Sequence, residues 1–218
     1  MASRRTRIRR QLREFEHKGI FEVDVEEFQG PKSWSEIFQR QAPLELEVGF
    51  GKGEFIRGKA QENPDKNYVG IEIDSTRLRW AEYKIHKDGL ANIRLVFGDA
   101  RKLIQALFHD GQLDATYMNF PDPWPKKRHI HRRMICQPMI DELIRIVKPG
   151  GSIYIVTDVV PYAKEGLECL ENREQQVENV LGKGSIANNL DGYPETIHEW
   201  KFRREGRTIN FLHFRKLG

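Results

Sequence analysis

From Leu44 onward the chain alternates short apolar runs with longer segments whose apolar residues fall three and four apart. The runs LELEV (44–48), NYVGIEI (67–73), NIRLVF (92–97), LDATYM (113–118) and GSIYIVT (151–157) are short and rich in β-branched and aromatic residues, which predicts strands. Between them, EFIRGKAQEN, STRLRWAEYKIHKDG, ARKLIQALFHDG and QPMIDELIRIVKPGG have helical spacing, and several close on Gly or Pro-Gly. The crossovers are long enough to return the chain parallel to itself, so the pattern predicts an α/β domain with an open, mostly parallel sheet and helices on both faces. After Thr157 the pattern changes. Residues 162–181 read as helical and GKGSIANNLDGY as a loop, while TIHEWKF and RTINFLHFRK read as two strands joined by RREG, a C-terminal antiparallel hairpin.

Composition bounds the class. A chain of 218 residues, 39% hydrophobic and 31% charged, can bury one good core. We expect one domain over residues 34–218, preceded by a flexible basic arm over 1–33. No run approaches the length of a membrane span, and the basic N-terminus has no apolar stretch behind it, so the expected location is the cytoplasm. Cys136 and Cys169 are far apart with no ligand spacing, and neither a disulfide framework nor a metal site is expected.

Charge is segregated. Residues 1–18 hold seven Lys/Arg against two Glu, and residues 126–133 hold five Lys/Arg and no acid, yet the whole chain is only +4. The remainder is therefore net acidic. An acidic body with two basic patches is the outline of a protein that meets a polyanion at chosen places, although a solvated terminus would also explain the first patch.

The turn LEVGFGKGEF follows the first strand with Gly49, Gly51 and Gly53 and then opens a helix. Glycines there let the backbone approach a ligand closely. The dinucleotide pattern GxGxxG would need its third glycine at position 54, which is Glu54, and a carboxylate beside a pyrophosphate is repulsive. With Glu47 at the strand end, the turn suits a ligand carrying positive charge, such as S-adenosylmethionine (SAM). Glu72, about twenty residues on, stands where an acid receives ribose hydroxyls, and Asp99 is placed for an adenine amino group. Each has an ordinary alternative: Glu47 as a helix-dipole partner, Glu72 as a solvated strand-end acid, Asp99 as a helix N-cap. Together they mark one crevice at the carboxyl ends of three successive strands.

The motifs LEVGFGKG, GIEID, FGDA, NFPDPWPKKRHIHRR, VKPGG and TDVVPYA together resemble the bacterial tRNA (guanine-N7-)-methyltransferase family, from about Leu44 to Phe214. The proline-fenced PDPW with its basic sequel is the most specific of them. The resemblance implies a Rossmann-like class I methyltransferase with a seven-stranded sheet, SAM as methyl donor, tRNA as partner and no metal. It implies methyl transfer to N7 of a guanosine in the tRNA variable loop. Residue by residue it places Glu47, Glu72, Asp99 and Asp122 at SAM, beside the cofactor-binding turn of Gly49 and Gly51, with Asp122 also as the active-site residue. It places Lys126, Asp158, Thr196 and Glu199 at the substrate; the family's aromatic position in TIHE is His198 here.

The chemistry is consistent with a single acid. N7 carries an in-plane lone pair and no proton, so attack needs no general base, and the product is a cationic purine whose charge a carboxylate stabilises. Asp122, between Pro121 and Pro123, is oriented by two residues of fixed φ. Trp124 could stack on a base or simply cap the core beside the prolines. Lys126, Lys127, Arg128, Arg132 and Arg133 are placed to grip phosphates, with a helix-end role as the alternative for the last two. The competing readings are a guanine-N7 enzyme acting on rRNA or another RNA, an NAD-dependent oxidoreductase, and a non-catalytic RNA-binding domain of the same fold. No protein partner is required by the sequence, which is compatible with a monomer or a homodimer.

Overall fold

The structure is a computed structural model that describes residues 22–23 and 33–218. The expected basic arm over 1–33 lies almost wholly outside the described residues. In chain order the elements are α1 (Trp34–Phe38), β1 (Leu44–Val48), α2 (Glu54–Glu62), β2 (Asn67–Glu72), α3 (Ser75–Lys87), β3 (Ile93–Phe97), α4 (Ala100–Leu107) and β4 (Leu113–Asn119). A 3-10 helix (Lys127–Arg132), α5 (Gln137–Ile146), β5 (Val147–Thr157), α6 (Val160–Glu171), β6 (Val177–Asn179), α7 (Ile197–Arg204) and β7 (Asn210–Lys216) follow.

The seven strands form one sheet in the order β3-β2-β1-β4-β5-β7-β6. β1 through β5 are parallel, and β7 runs antiparallel to both β5 and β6. The α/β class, the mostly parallel sheet and its antiparallel C-terminal end are as the sequence predicts. The partner strand differs. TIHEWKF does not pair with β7: its residues from Ile197 are α7, capped by the Thr196 hydroxyl, which accepts the Glu199 N–H at 3.0 Å. The strand beside β7 is instead β6, inside the stretch read as a long helix, which ends at Glu171.

Strand alternation sorts the core into layers. Leu44, Leu46 and Val48 of β1 join Ile153 and Ile155 of β5 against Trp34, Ile104, Ile140 and Tyr162 from the helices of one face. On the other face Ile56, Leu78, Ala81 and Ile85 of α2 and α3 pack on Tyr68, Ile93 and Leu95. Glu45 and Glu47 project to that second side and are nonetheless buried. Glu45 accepts hydrogen bonds from the Lys66 ammonium at 2.7 Å and the Tyr117 hydroxyl at 2.9 Å, which offsets its desolvation.

The order reversal between β1 and β4 opens a crevice at the carboxyl ends of the strands, where open α/β sheets take ligands. Among the described residues no helix is long and apolar enough to cross a membrane.

Candidate active site

The glycine turn is the first wall of the crevice. Gly49 and Gly51 have φ of 74° and 58°, and a Cβ at either position would meet nothing within 4 Å, so the backbone faces open space. Gly53 serves packing instead: a Cβ there would stand 2.9 Å from the Ala81 side chain.

Glu72 is the second wall. It is buried at the end of β2, where Oε2 accepts the Gly51 N–H at 2.8 Å and Oε1 accepts those of Ile73 and Asp74, both at 2.9 Å. Three backbone donors fix the carboxylate and join the turn to β2, leaving acceptor capacity on Oε2. Asp99 caps α4 by accepting the Arg101 N–H at 3.1 Å, and both its oxygens also pair with the Arg101 guanidinium. That guanidinium holds the Asp99 carboxyl below the usual carboxylate range. The capping alternative for Asp99 is therefore realised, and the residue faces the crevice as well.

Glu47 lies behind the crevice. Its Oε2 accepts the Ile56 N–H at the start of α2 and its Oε1 accepts the Asn119 amide, each at 3.1 Å. Asn119 Oδ1 in turn accepts the Tyr193 hydroxyl at 2.6 Å. Burial pushes the Glu47 carboxyl up to about 8.

The loop after β4 forms the rim. Phe120 and Trp124 both have left-handed backbone, φ 51° and 42°, on either side of Pro-Asp-Pro. Non-glycine residues held there are strained and persist only where the surroundings over-determine them. Arg133 is one such constraint: Nε donates to the Pro123 carbonyl at 2.9 Å and Nη1 to Glu165 at 2.7 Å, while the guanidinium lies over the Tyr162 ring. Arg133 is thus engaged in holding the loop. Asp122, exposed at its apex, has no hydrogen bond or ion pair with any described residue. Trp124 is covered by the Arg132 guanidinium, 5.0 Å from the ring, and meets His129 edge to face.

A cleft of about 380 Å³ thus gathers Gly49, Glu72, Asp99, Asp122, Trp124 and Arg132. Of the other residues singled out from sequence, Gly51 and Glu47 are tied to the cleft through Glu72 and Asn119. Lys126 is exposed at the head of the 3-10 helix beyond the rim. Asp158, Thr196 and Glu199 lie outside the cleft lining. Asp158 pairs with Arg207 at 2.7 Å, and Glu199, buried, accepts both Nε and Nη2 of Arg203. Thr196 and Glu199 are joined to the rim by His198, whose ring stacks on Phe120 at 6.0 Å, and Asp158 by Arg207, which lies over the Phe202 ring that packs on Phe120. Sequence reasoning missed Asn119, Phe120 and Ile73. The signal for Asn119 was a lone amide closing an apolar strand; Ile73, 62% exposed on the cleft wall, directly follows Glu72.

A family model described as "Putative methyltransferase" matches residues 41–212. The fold is similar to the structure of a SAM-dependent methyltransferase from Aquifex aeolicus, with a TM-score of 0.56 at 14% identity and 100% of both chains covered. Strand order, glycine turn and strand-end acids are together those of the SAM-dependent methyltransferase class. Sequence relatives refine this. The chain is 36% identical to a tRNA (guanine-N(7)-)-methyltransferase of Thermotoga maritima over 187 residues, 86% of this chain and 58% of that one. It is 35% identical to one of Streptococcus pneumoniae over 81% of this chain and 82% of that one. The chain belongs to the tRNA (guanine-N(7)-)-methyltransferase family, and it spans little more than half the length of the Thermotoga relative.

Proposed function

We propose that the protein transfers the methyl group of SAM to N7 of a guanosine in the variable loop of tRNA. The observation that carries the reading is Asp122: a carboxylate without a partner among the described residues, aimed by prolines at the rim of the cleft, four residues ahead of an exposed basic segment.

The residues present fit SAM. The open turn at Gly49 and Gly51 admits the amino-acid end close to backbone, Glu72 Oε2 retains room for a ribose hydroxyl, and Ile73 offers apolar surface to the purine. Asp99 accepts from the adenine amino group, and the Glu72 and Asp122 carboxylates suit a cationic ligand although Arg77, Arg101 and Arg132 also line the cleft. When bound, SAM supplies a methyl on a positively charged sulfur. The chain's own residues then have two tasks. The first is alignment: Asn119, locked between Glu47 and Tyr193, and Phe120, stacked on His198, set the floor against which guanine lies. The second is charge. As N7 takes the methyl, positive charge passes to the purine, and Asp122 accepts from its Watson–Crick edge where that charge develops. No side chain removes a proton from the nucleophile.

Lys126, Lys127 and Arg128 are exposed and without a carboxylate partner among the described residues, as phosphate ligands of a folded RNA require. The target base leaves its stack to reach the cleft. On the far side of Phe120, Asp158, Thr196 and Glu199 shape the substrate entrance through α7, with Glu199 acting from a buried position. The protein works without a metal and in the cytoplasm.

The test is incubation with radiolabelled SAM and separate tRNA and rRNA pools, followed by mapping of 7-methylguanosine by aniline cleavage. Label in the variable loop of tRNA lacking the modification is expected. Label confined to rRNA moves the protein to the competing reading, and no label in either removes both.

A further inference from the structure

The helix α7 carries a face that the methyl-transfer site does not use. Ile197, Trp200, Lys201 and Arg204 recur at helical spacing on its outward side, while Glu199 on the opposite side is buried. Ile197 is 58% and Trp200 50% exposed. The Arg204 guanidinium lies 4.7 Å from the Trp200 ring and has no hydrogen bond or ion pair with any described residue.

The setting is cationic. Within the stripe Lys201 makes a loose 3.7 Å contact with Glu205, and beside it Arg203 is held by Glu199. Arg207 follows, paired with Asp158 and Glu205. Glu205 and Glu195 are the exposed acids on and beside this helix. An exposed indole with a free guanidinium on its ring is the combination that receives an unpaired base and its phosphate, through stacking and a cation–π contact. The location agrees. An eight-residue helix is about 12 Å long, and the same helix bears His198 against Phe120 on the cleft wall.

We propose that the outward face of α7 is a second RNA contact, at which an unpaired base of the substrate stacks on Trp200 while Arg204 and Lys201 hold the adjoining phosphates. The proposal rests on the reading that the substrate is tRNA, and it adds a determinant separate from both the cleft and the basic 3-10 helix.

Filter binding and methylation of unmodified tRNA transcript, with the wild type, Trp200→Ala, Trp200→Phe and Arg204→Gln, test it. Trp200→Ala is expected to raise the Kd for tRNA about tenfold, the effect of losing one stacked base, and Trp200→Phe to stay within about threefold of wild type. Arg204→Gln is expected to lower the slope of log K against log salt by about one. The Kd for SAM and kcat at saturating tRNA stay unchanged in all three. A wild type that methylates tRNA beside a Trp200→Ala with unaltered tRNA affinity overturns this proposal and leaves the proposed function standing. The second contact is equally overturned if Trp200→Ala dissolves a self-associated form in sedimentation without changing tRNA affinity. A wild type that neither binds nor methylates tRNA overturns both.

Discussion

Asp122 and Glu47 are two carboxylates of one site in opposite environments. Asp122 is exposed and pairs with no described residue, so removing its charge should cost the fold almost nothing: Asp122→Asn is expected to shift Tm by less than about 2 °C. On the proposed role of Asp122 facing the developing cation, the substitution should cost kcat about 10²-fold, and single-turnover methylation beside a thermal melt separates the two effects. Glu47 is buried, and its carboxyl keeps its proton up to about 8 against an ordinary 4.5. Between those values the folded chain binds more protons than the unfolded one, so stability falls as pH rises from about 4.5 to about 8 and then levels. Glu47→Gln should flatten this dependence, as read from urea midpoints at about pH 5, 7 and 8.5. Sequence placed both acids at strand ends; the difference in their surroundings arises from Asn119, Tyr193 and Ile56 closing over one of them, contacts that join distant parts of the chain.

The elements differ in how much of them is local. LELEV coincides with β1, and the other four parallel strands are recognisable within a few residues, because strands covered by helices on both faces carry dense apolar runs. Even there, the alternating acids of LELEV look like a solvated face, yet all five residues are buried because Lys66 and Tyr117 satisfy Glu45. α7 is the clearest failure. HEWKF alternates polar and apolar residues and favours a strand locally, whereas Thr196 with Glu199 three residues later is a helix-start pattern. Docking of Phe202 on Phe120 and burial of Glu199 with Arg203 decide for the helix. The cap then matters: Thr196→Ala is expected to cost about 1 kcal/mol in urea unfolding, with Thr196→Ser recovering most of it. The three-residue β6 is invisible in sequence because such a short edge strand exists only where β7 offers it a ladder.

At the scale of the whole molecule, the sheet is a rigid base that brings acids to one edge of the strands and leaves uncommitted cations just outside. Binding of tRNA should therefore depend steeply on salt, and Lys126→Ala and Lys127→Ala should each reduce the slope of log K against log salt by about one without changing the Kd for SAM. Arg133 should not behave this way. Its variants are expected to lose turnover through the PDPW loop, with the salt slope intact, because its guanidinium is already held by Pro123 and Glu165. The sequence by itself determined the α/β class, the glycine turn, the strand-end acids and the proline-fenced Asp122, since each follows from local periodicity, backbone freedom or residue order. Only the tertiary structure decided which acid is buried and protonated, which arginines are free and which hold a loop, and that the segment 197–204 is a helix with Trp200 turned outward. Those outcomes depend on desolvation and pairing between residues far apart in the chain, and local pattern carries no record of them.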